Sequence, residues 1–170
     1  MPEYRGQLRP RGRVAVLVSR YNERVTARLL DGALACCREA GLAEGEVDVV
    51  WVPGAFELGA AAGALAATGR YAALVALGAV IRGETAHFEY VAGEAARGLG
   101  AVAARHGLPV AFGVLTTDTL EQALARAGGA LGNKGYEAAE AAIRLADALA
   151  EVKATRRKPA RRPRRAPGKR

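Results

Sequence analysis

The chain has 170 residues, half of them hydrophobic and a quarter charged, which is enough for one packed domain and short for two. Its formal charge of +8 is unevenly placed: ten of the 25 basic residues and no acidic ones fall in 153–170, leaving 15 basic against 17 acidic residues, a net −2, in 1–152. These figures argue against a nucleic-acid-binding folded body and a bilayer-spanning helix, and the first thirteen residues lack the apolar run of a secretory signal, so one cytoplasmic domain is expected.

Residues 1–12, with two Pro and two Gly, read as a polar arm. The uninterrupted β-branched run 14–18 predicts a strand buried on both faces. After a turn at 19–22, apolar residues at Val25, Leu29, Leu30, Ala33, Leu34 and Cys37 recur at helical spacing, predicting a helix over 23–40 with Gly41 at its end. A second strand is expected at 47–52, closed by Pro53-Gly54, then an Ala-rich helix at 56–67. The third strand, 73–81, leads through Arg82-Gly83-Glu84 to a helix over 86–106, with Thr85 as a candidate cap and Gly107 as its stop. A fourth strand spans 109–115. A short helix starts within 116–119 and ends near 127, and Gly128-Gly129 break the chain. The last helix runs from 133 to 152. Four strands alternating with helices indicate a parallel sheet covered on both faces, an α/β/α sandwich of flavodoxin-like type.

In such sheets ligands bind beyond the carboxyl ends of the strands, where strand order reverses. For an order 2-1-3-4 the crevice lies between the loops after the first and third strands, with the loop after the second beside it. Gly83 allows close approach of backbone to ligand, and the helix start behind it offers free N–H groups to an anion. His87 stands in that first turn as a candidate for proton transfer, whereas His106, in a last turn, reads as structural. Tyr21 and Phe56 are two of nine aromatic residues. They read either as a sandwich for a planar heterocycle or as plugs under their loops. Glu57 could accept hydrogen bonds from ligand hydroxyls. Arg126 and Lys134 could grip a phosphate or be solvated surface charges. The adjacent Cys36 and Cys37 have neither disulfide geometry nor metal-ligand spacing and are expected to be reduced and packed. Gly98-Leu99-Gly100 lies inside a helical pattern and carries no dinucleotide signal, and Gly132-Asn133-Lys134-Gly135 is no phosphate loop.

Five segments, in this order, resemble the 6,7-dimethyl-8-ribityllumazine synthase family over about residues 14–150. They are Ser19-Arg20-Tyr21-Asn22, the stretch 51–57 ending Gly54-Ala55-Phe56-Glu57, the stretch 77–88 containing Val80-Ile81-Arg82-Gly83-Glu84-Thr85-Ala86-His87, Phe112–Thr117, and Gly132-Asn133-Lys134-Gly135. The resemblance implies a reaction without metal or redox cofactor. The 5-amino group of 5-amino-6-(D-ribitylamino)uracil would condense with the ketone of 3,4-dihydroxy-2-butanone 4-phosphate. Imine formation, phosphate elimination and ring closure with loss of water would follow.

By the same resemblance, Tyr21 would stack on the pyrimidine, where the family more often has Phe or Trp. Ala55, Phe56 and Glu57 would line the pyrimidine and ribityl pocket, and Ala79, Val80 and Ile81 would add backbone contacts. Glu84, Thr85 and Arg126 would hold the phosphate-bearing substrate, with Lys134 near the phosphate. His87 would transfer the proton and Phe112 would close the pocket. Phe112, Arg126 and Lys134 would arrive from a neighbouring subunit of a pentamer or a sixty-subunit shell, and the arm would add a strand to a neighbour's sheet. Gly59 departs from a common Pro. The segment 153–170 is the main departure. It is expected to be a disordered basic tail and a candidate polyanion binder, and riboflavin synthase is a possible partner of the assembly. Deleting 153–170 is expected to leave product formation unchanged in a steady-state assay. Lost activity would make the tail part of the enzyme.

Overall fold

A computed structural model describes residues 1–156. The sheet consists of β1 (Val14–Ser19), β2 (Val47–Val52), β3 (Ala73–Ile81) and β4 (Val110–Thr117), all parallel in the order β2-β1-β3-β4. The helices are α1 (Glu23–Glu39), α2 (Leu58–Ala67), α3 (His87–His106), α4 (Leu120–Arg126) and α5 (Lys134–Arg156). A short antiparallel pair, β5 (Ala127–Gly129) and β6 (Gly132–Asn133), joins the last two helices. The expected flavodoxin-like layering and strand order are present.

Strand alternation divides the core in two. Val14, Val16, Val18, Val75 and Leu77 face Leu29, Cys36 and Ile143 of α1 and α5. Ala15, Leu17, Leu74 and Ala76 face Leu58, Ala62 and Leu99 of α2 and α3. Every side chain of β1 is buried, which is why its sequence shows no polar alternation. On the second face α2 meets α3 closely: a Cβ added to Gly59 would stand 3.1 Å from the Gly98 Cα. The glycines at 59 and 98 are thus the contact point of two helices, consistent with the rejection of Gly98-Leu99-Gly100 as a nucleotide motif.

Several boundaries differ from the sequence expectation, each for a local reason. Helix α2 starts at Leu58, not 56, because Ala55 to Glu57 form the turn whose Ala55 carbonyl accepts the Leu58 N–H. Strand β4 continues to Thr117 because β3, its neighbour, supplies partners as far as Ile81. Thr119 then caps α4, its hydroxyl accepting the Gln122 N–H at 3.2 Å. Asn133 begins α5 as a cap, its side-chain oxygen accepting the N–H groups of Gly135 and Tyr136. The same helix extends to Arg156, four residues past the expected Val152. The expectation of a disordered tail therefore gives way to helix over 153–156; its remainder, 157–170, lies outside the described residues. No helix among the described residues is long and apolar enough to cross a membrane.

Both cysteines are buried in α1. Burial pushes the Cys36 thiol up to about 12 and the Cys37 thiol to about 11, which keeps them protonated and poorly nucleophilic near neutral pH.

The arm forms no strand within this chain but is tied to α5. The side chain of Asp147 is fully buried and accepts from the Gln7 N–H at 2.9 Å, Arg9 Nε at 3.0 Å and Arg11 Nε at 2.6 Å. Burial by itself would raise this carboxyl. The bonds from Arg9, the Gln7 backbone and Arg11 outweigh it and hold the group at about 2. Because the folded value is depressed, the stabilisation is present above the ordinary 3.8 and disappears as pH falls through about 2. Asp147→Asn should therefore cost on the order of 2 kcal/mol in denaturant unfolding at neutral pH, with the gap to the parent protein closing as pH falls from about 4 to about 2.

Candidate active site

The carboxyl ends of the strands form a cleft whose geometry starts from a mismatch in strand length. Strand β3 pairs with β4 through Ile81, but its last partner in β1 is Val18, opposite Leu77. Residues 78–81 therefore lie beyond the β1–β3 ladder, with only Ser19 of β1 reaching past Val18. By alternation, the peptide groups of Ala79 and Ile81 face the side that β1 has vacated, while Arg82 turns its N–H to the Thr117 carbonyl at 2.8 Å. The chain reversal after β1 fills the gap only in part. Asn22 adopts the left-handed conformation at φ 60° and donates from Nδ2 to the Ala79 carbonyl at 2.8 Å. The Arg20 and Tyr21 N–H groups bond the Val52 and Pro53 carbonyls at 2.8 and 3.0 Å, which ties the loops after β1 and β2 together.

The cleft has a volume of about 710 Å³. The structure brings together in it Tyr21, Ala55, Phe56, Glu57, Ala79, Val80, Ile81, Thr85 and His87. Tyr21 is 74% and Phe56 54% exposed, which decides between the two readings of these rings: neither is a plug under its loop. Two large apolar rings held in water beside a cleft are the arrangement expected of a surface that takes a flat partner. Glu57, with its carboxylate, and His87, with its imidazole, line the same cleft and are both exposed.

The loop after β3 leads into α3. Ala86 occupies the cap position without any side-chain cap bond, so the helix begins at His87 rather than 86. Thr85 contributes only a long contact, its hydroxyl accepting the His87 N–H at 3.4 Å. The Glu89 N–H is taken by the Ala86 carbonyl at 3.0 Å, and the absence of a cap bond from Ala86 leaves the rest of this first turn open to an anion. A Cβ on Gly83 would meet no protein atom within 4 Å. Packing within the chain therefore does not demand glycine there, and the space opens on the cleft. Glu84 shares this loop and is exposed, but does not line the cleft.

Phe112, Arg126 and Lys134 lie elsewhere. They line a second depression of about 450 Å³ on the free edge of the sheet, along β4 and the start of α5. Phe112 is 46% exposed there. Arg126 donates to the Gln122 carbonyl at 3.0 Å, and Lys134 contacts Glu137 at 2.6 Å. Both cations are half-buried rather than fully solvated. Sequence reasoning missed Phe88 and Val91, which complete the first cleft, and Glu137 in the second. Val91 was legible as four positions after His87 and three after Phe88, the helical spacing that sets side chains side by side. Glu137 had only its spacing of three from Lys134.

Asn22 ties the turn after β1 to the end of β3. Asn22→Ala removes the bond to Ala79 and imposes a side chain disfavoured at positive φ, and should cost about 1–3 kcal/mol in denaturant unfolding. Asn22→Gly restores the backbone freedom but not the bond, and should cost less.

The order of the sequence segments, the parallel sheet and the cleft at its switch point converge with one comparison. The family model described as 6,7-dimethyl-8-ribityllumazine synthase matches residues 11–150, from the end of the arm to the body of α5. The match spans both the cleft and the depression on β4, and the chain belongs to the 6,7-dimethyl-8-ribityllumazine synthase family, transferases of riboflavin biosynthesis.

Proposed function

We propose that the protein condenses 5-amino-6-(D-ribitylamino)uracil with 3,4-dihydroxy-2-butanone 4-phosphate to give 6,7-dimethyl-8-ribityllumazine, phosphate and water. The observation that carries this reading is the cleft itself. It presents two exposed rings, an unpaired strand edge, a carboxylate, an imidazole and an uncapped helix start, and the substrates together ask for each of these. Tyr21 stacks on the pyrimidine, and the peptide groups of Ala79 and Ile81 bond its polar edge, with Val80 packing beneath. Ala55 and Phe56 wall the ribityl chain, and Glu57 accepts from its hydroxyls.

The phosphate-bearing ketone sits at the start of α3 against Thr85, with Glu84 on the rim. His87 in the same turn moves the protons for imine formation and for departure of phosphate. The chemistry needs two reactants held in register and a proton carrier, and both come from side chains on rigid elements.

The reading also accounts for the separation of the two depressions. Phe112, Arg126 and Lys134 stand on the free sheet edge, so in this reading they serve the cleft of a neighbouring copy: Phe112 closes it, and Arg126 and Lys134 hold the phosphate. A ring of five copies satisfies every such edge, either alone or as the unit of a sixty-subunit shell. The arm, anchored on α5 through Asp147, then continues onto a neighbour's sheet. The site is cytoplasmic, and riboflavin synthase, which consumes the product, is the natural partner of the assembly. The ten basic residues of 153–170 supply a polyanion-binding segment repeated on each copy.

Mixing both substrates with the purified protein should give the lumazine chromophore by absorbance. His87→Ala should slow it by at least about tenfold, as removal of a proton-transfer group does. Arg126→Ala should raise KM for the ketone phosphate about 10- to 100-fold, the cost of a charged hydrogen bond. Equal rates for parent and His87→Ala would leave the function and remove His87 from it. No product from a verified oligomer would overturn the assignment.

A further inference from the structure

Arg82 lines neither depression, yet its side chain sits where the cleft wall meets the rest of the sheet. Its N–H extends the β3–β4 pairing by one bond to the Thr117 carbonyl. Its guanidinium lies 4.3 Å from the centroid of the Phe88 ring. Nε donates to Asp118 Oδ1 at 2.9 Å, and a terminal nitrogen reaches Glu89 Oε1 at 3.4 Å. Phe88 follows His87 directly and turns its ring to the cleft. The guanidinium therefore backs one wall of the cleft and joins the first turn of α3 to the loop between β4 and α4.

Both carboxylates are about two-thirds exposed, so these pairs add little to stability. Their effect is geometric. A guanidinium held by Asp118 and Glu89 and set 4.3 Å from the ring centroid restrains where that ring can sit. Nothing else caps this end of α3: Ala86 contributes no side chain bond, and the Thr85 contact is long. The segment 83–87, which carries the anion-facing N–H groups and the imidazole, thus leans on Arg82 for its position.

We propose that Arg82 is a positioning residue for the phosphate-ketone half of the reaction, acting through Phe88 and the first turn of α3 and not by touching substrate. The proposal rests on the reaction assigned above and deepens it. It separates the two substrates, because the pyrimidine half of the cleft is held independently by Asn22 and the β1–β2 loop bonds.

The test uses the full-length protein and two variants, Arg82→Ala and Arg82→Lys, with KM and kcat determined for each substrate at saturating levels of the other. Hydrogen–deuterium exchange is followed in parallel. In Arg82→Ala, kcat/KM for the ketone phosphate should fall about tenfold, as expected for a sub-ångström misplacement of a reacting group, while KM for the pyrimidine changes less than about twofold. Arg82→Lys keeps the charge but has neither plane nor fork, and should recover little. Exchange should rise in 83–89 and stay unchanged in 19–22 and 53–57. Full recovery by lysine, equal effects on both substrates, or unchanged exchange in 83–89 would each overturn the proposal. The exchange contrast does not depend on turnover. If the parent protein made no lumazine, the assigned reaction would fail while the positioning of 83–89 by Arg82 was still decided.

Discussion

Strand β3 runs four residues past its last pairing with β1, and the cleft opens along that unpaired end. A parallel sheet satisfies its backbone groups only where strands run side by side. At the switch point β1 turns away into α1, and the peptide edge of residues 78–81 loses its partner. Asn22 satisfies one carbonyl there, and the left-handed turn needed for that bond throws Tyr21 outward. The bonds from Arg20 and Tyr21 to the loop after β2 then set Phe56 and Glu57 at the other side of the same opening. One unpaired strand end thus organises the loops after β1, β2 and β3 into a single recess.

The same sheet has a second unsatisfied boundary, the free edge of β4. Its exposed Phe112 and the cations of α4 and α5 line a depression separate from the cleft. The polar chemistry is divided accordingly, with the imidazole and carboxylate on one pole and the half-buried Arg126 and Lys134 on the sheet flank. The arm, fastened to α5 by a buried carboxylate with three donors, is held close to that same helix. The apolar core needs no partner, being covered on both faces by helices of the one chain.

Much of this was legible in the order of residues. The unbroken apolar run of β1, the helical spacing in α1 and the glycine stops gave the strand-helix alternation, and alternation with the chirality rule leaves few topologies. The loops carrying Gly54-Ala55-Phe56-Glu57 and Gly83-Glu84-Thr85-Ala86-His87 stood out because a turn alone has no need of an aromatic ring, a carboxylate and an imidazole. Less legible were features set by non-local contact. The short β5–β6 pair has too few residues to show a period, and β4 ends where β3 ends, 36 residues earlier in the chain. Whether Tyr21 and Phe56 were plugs or open rings could not be read from their types, because either role suits an aromatic residue.

The sequence by itself determined the α/β class and the family, since these follow from local periodicity and from contiguous segments, whereas the order 2-1-3-4 entered as a condition that the structure then met. The tertiary structure places the candidate residues in two groups on different sides of one chain, a separation that only the resemblance had implied. It also showed that Arg82, a loop residue with no distinguishing spacing, is clamped between Phe88, Glu89 and Asp118. The reason is physical. Periodicity records which face of an element is buried, whereas the meeting of side chains from β3, α3 and the β4–α4 loop depends on how far each strand runs before its neighbour leaves it.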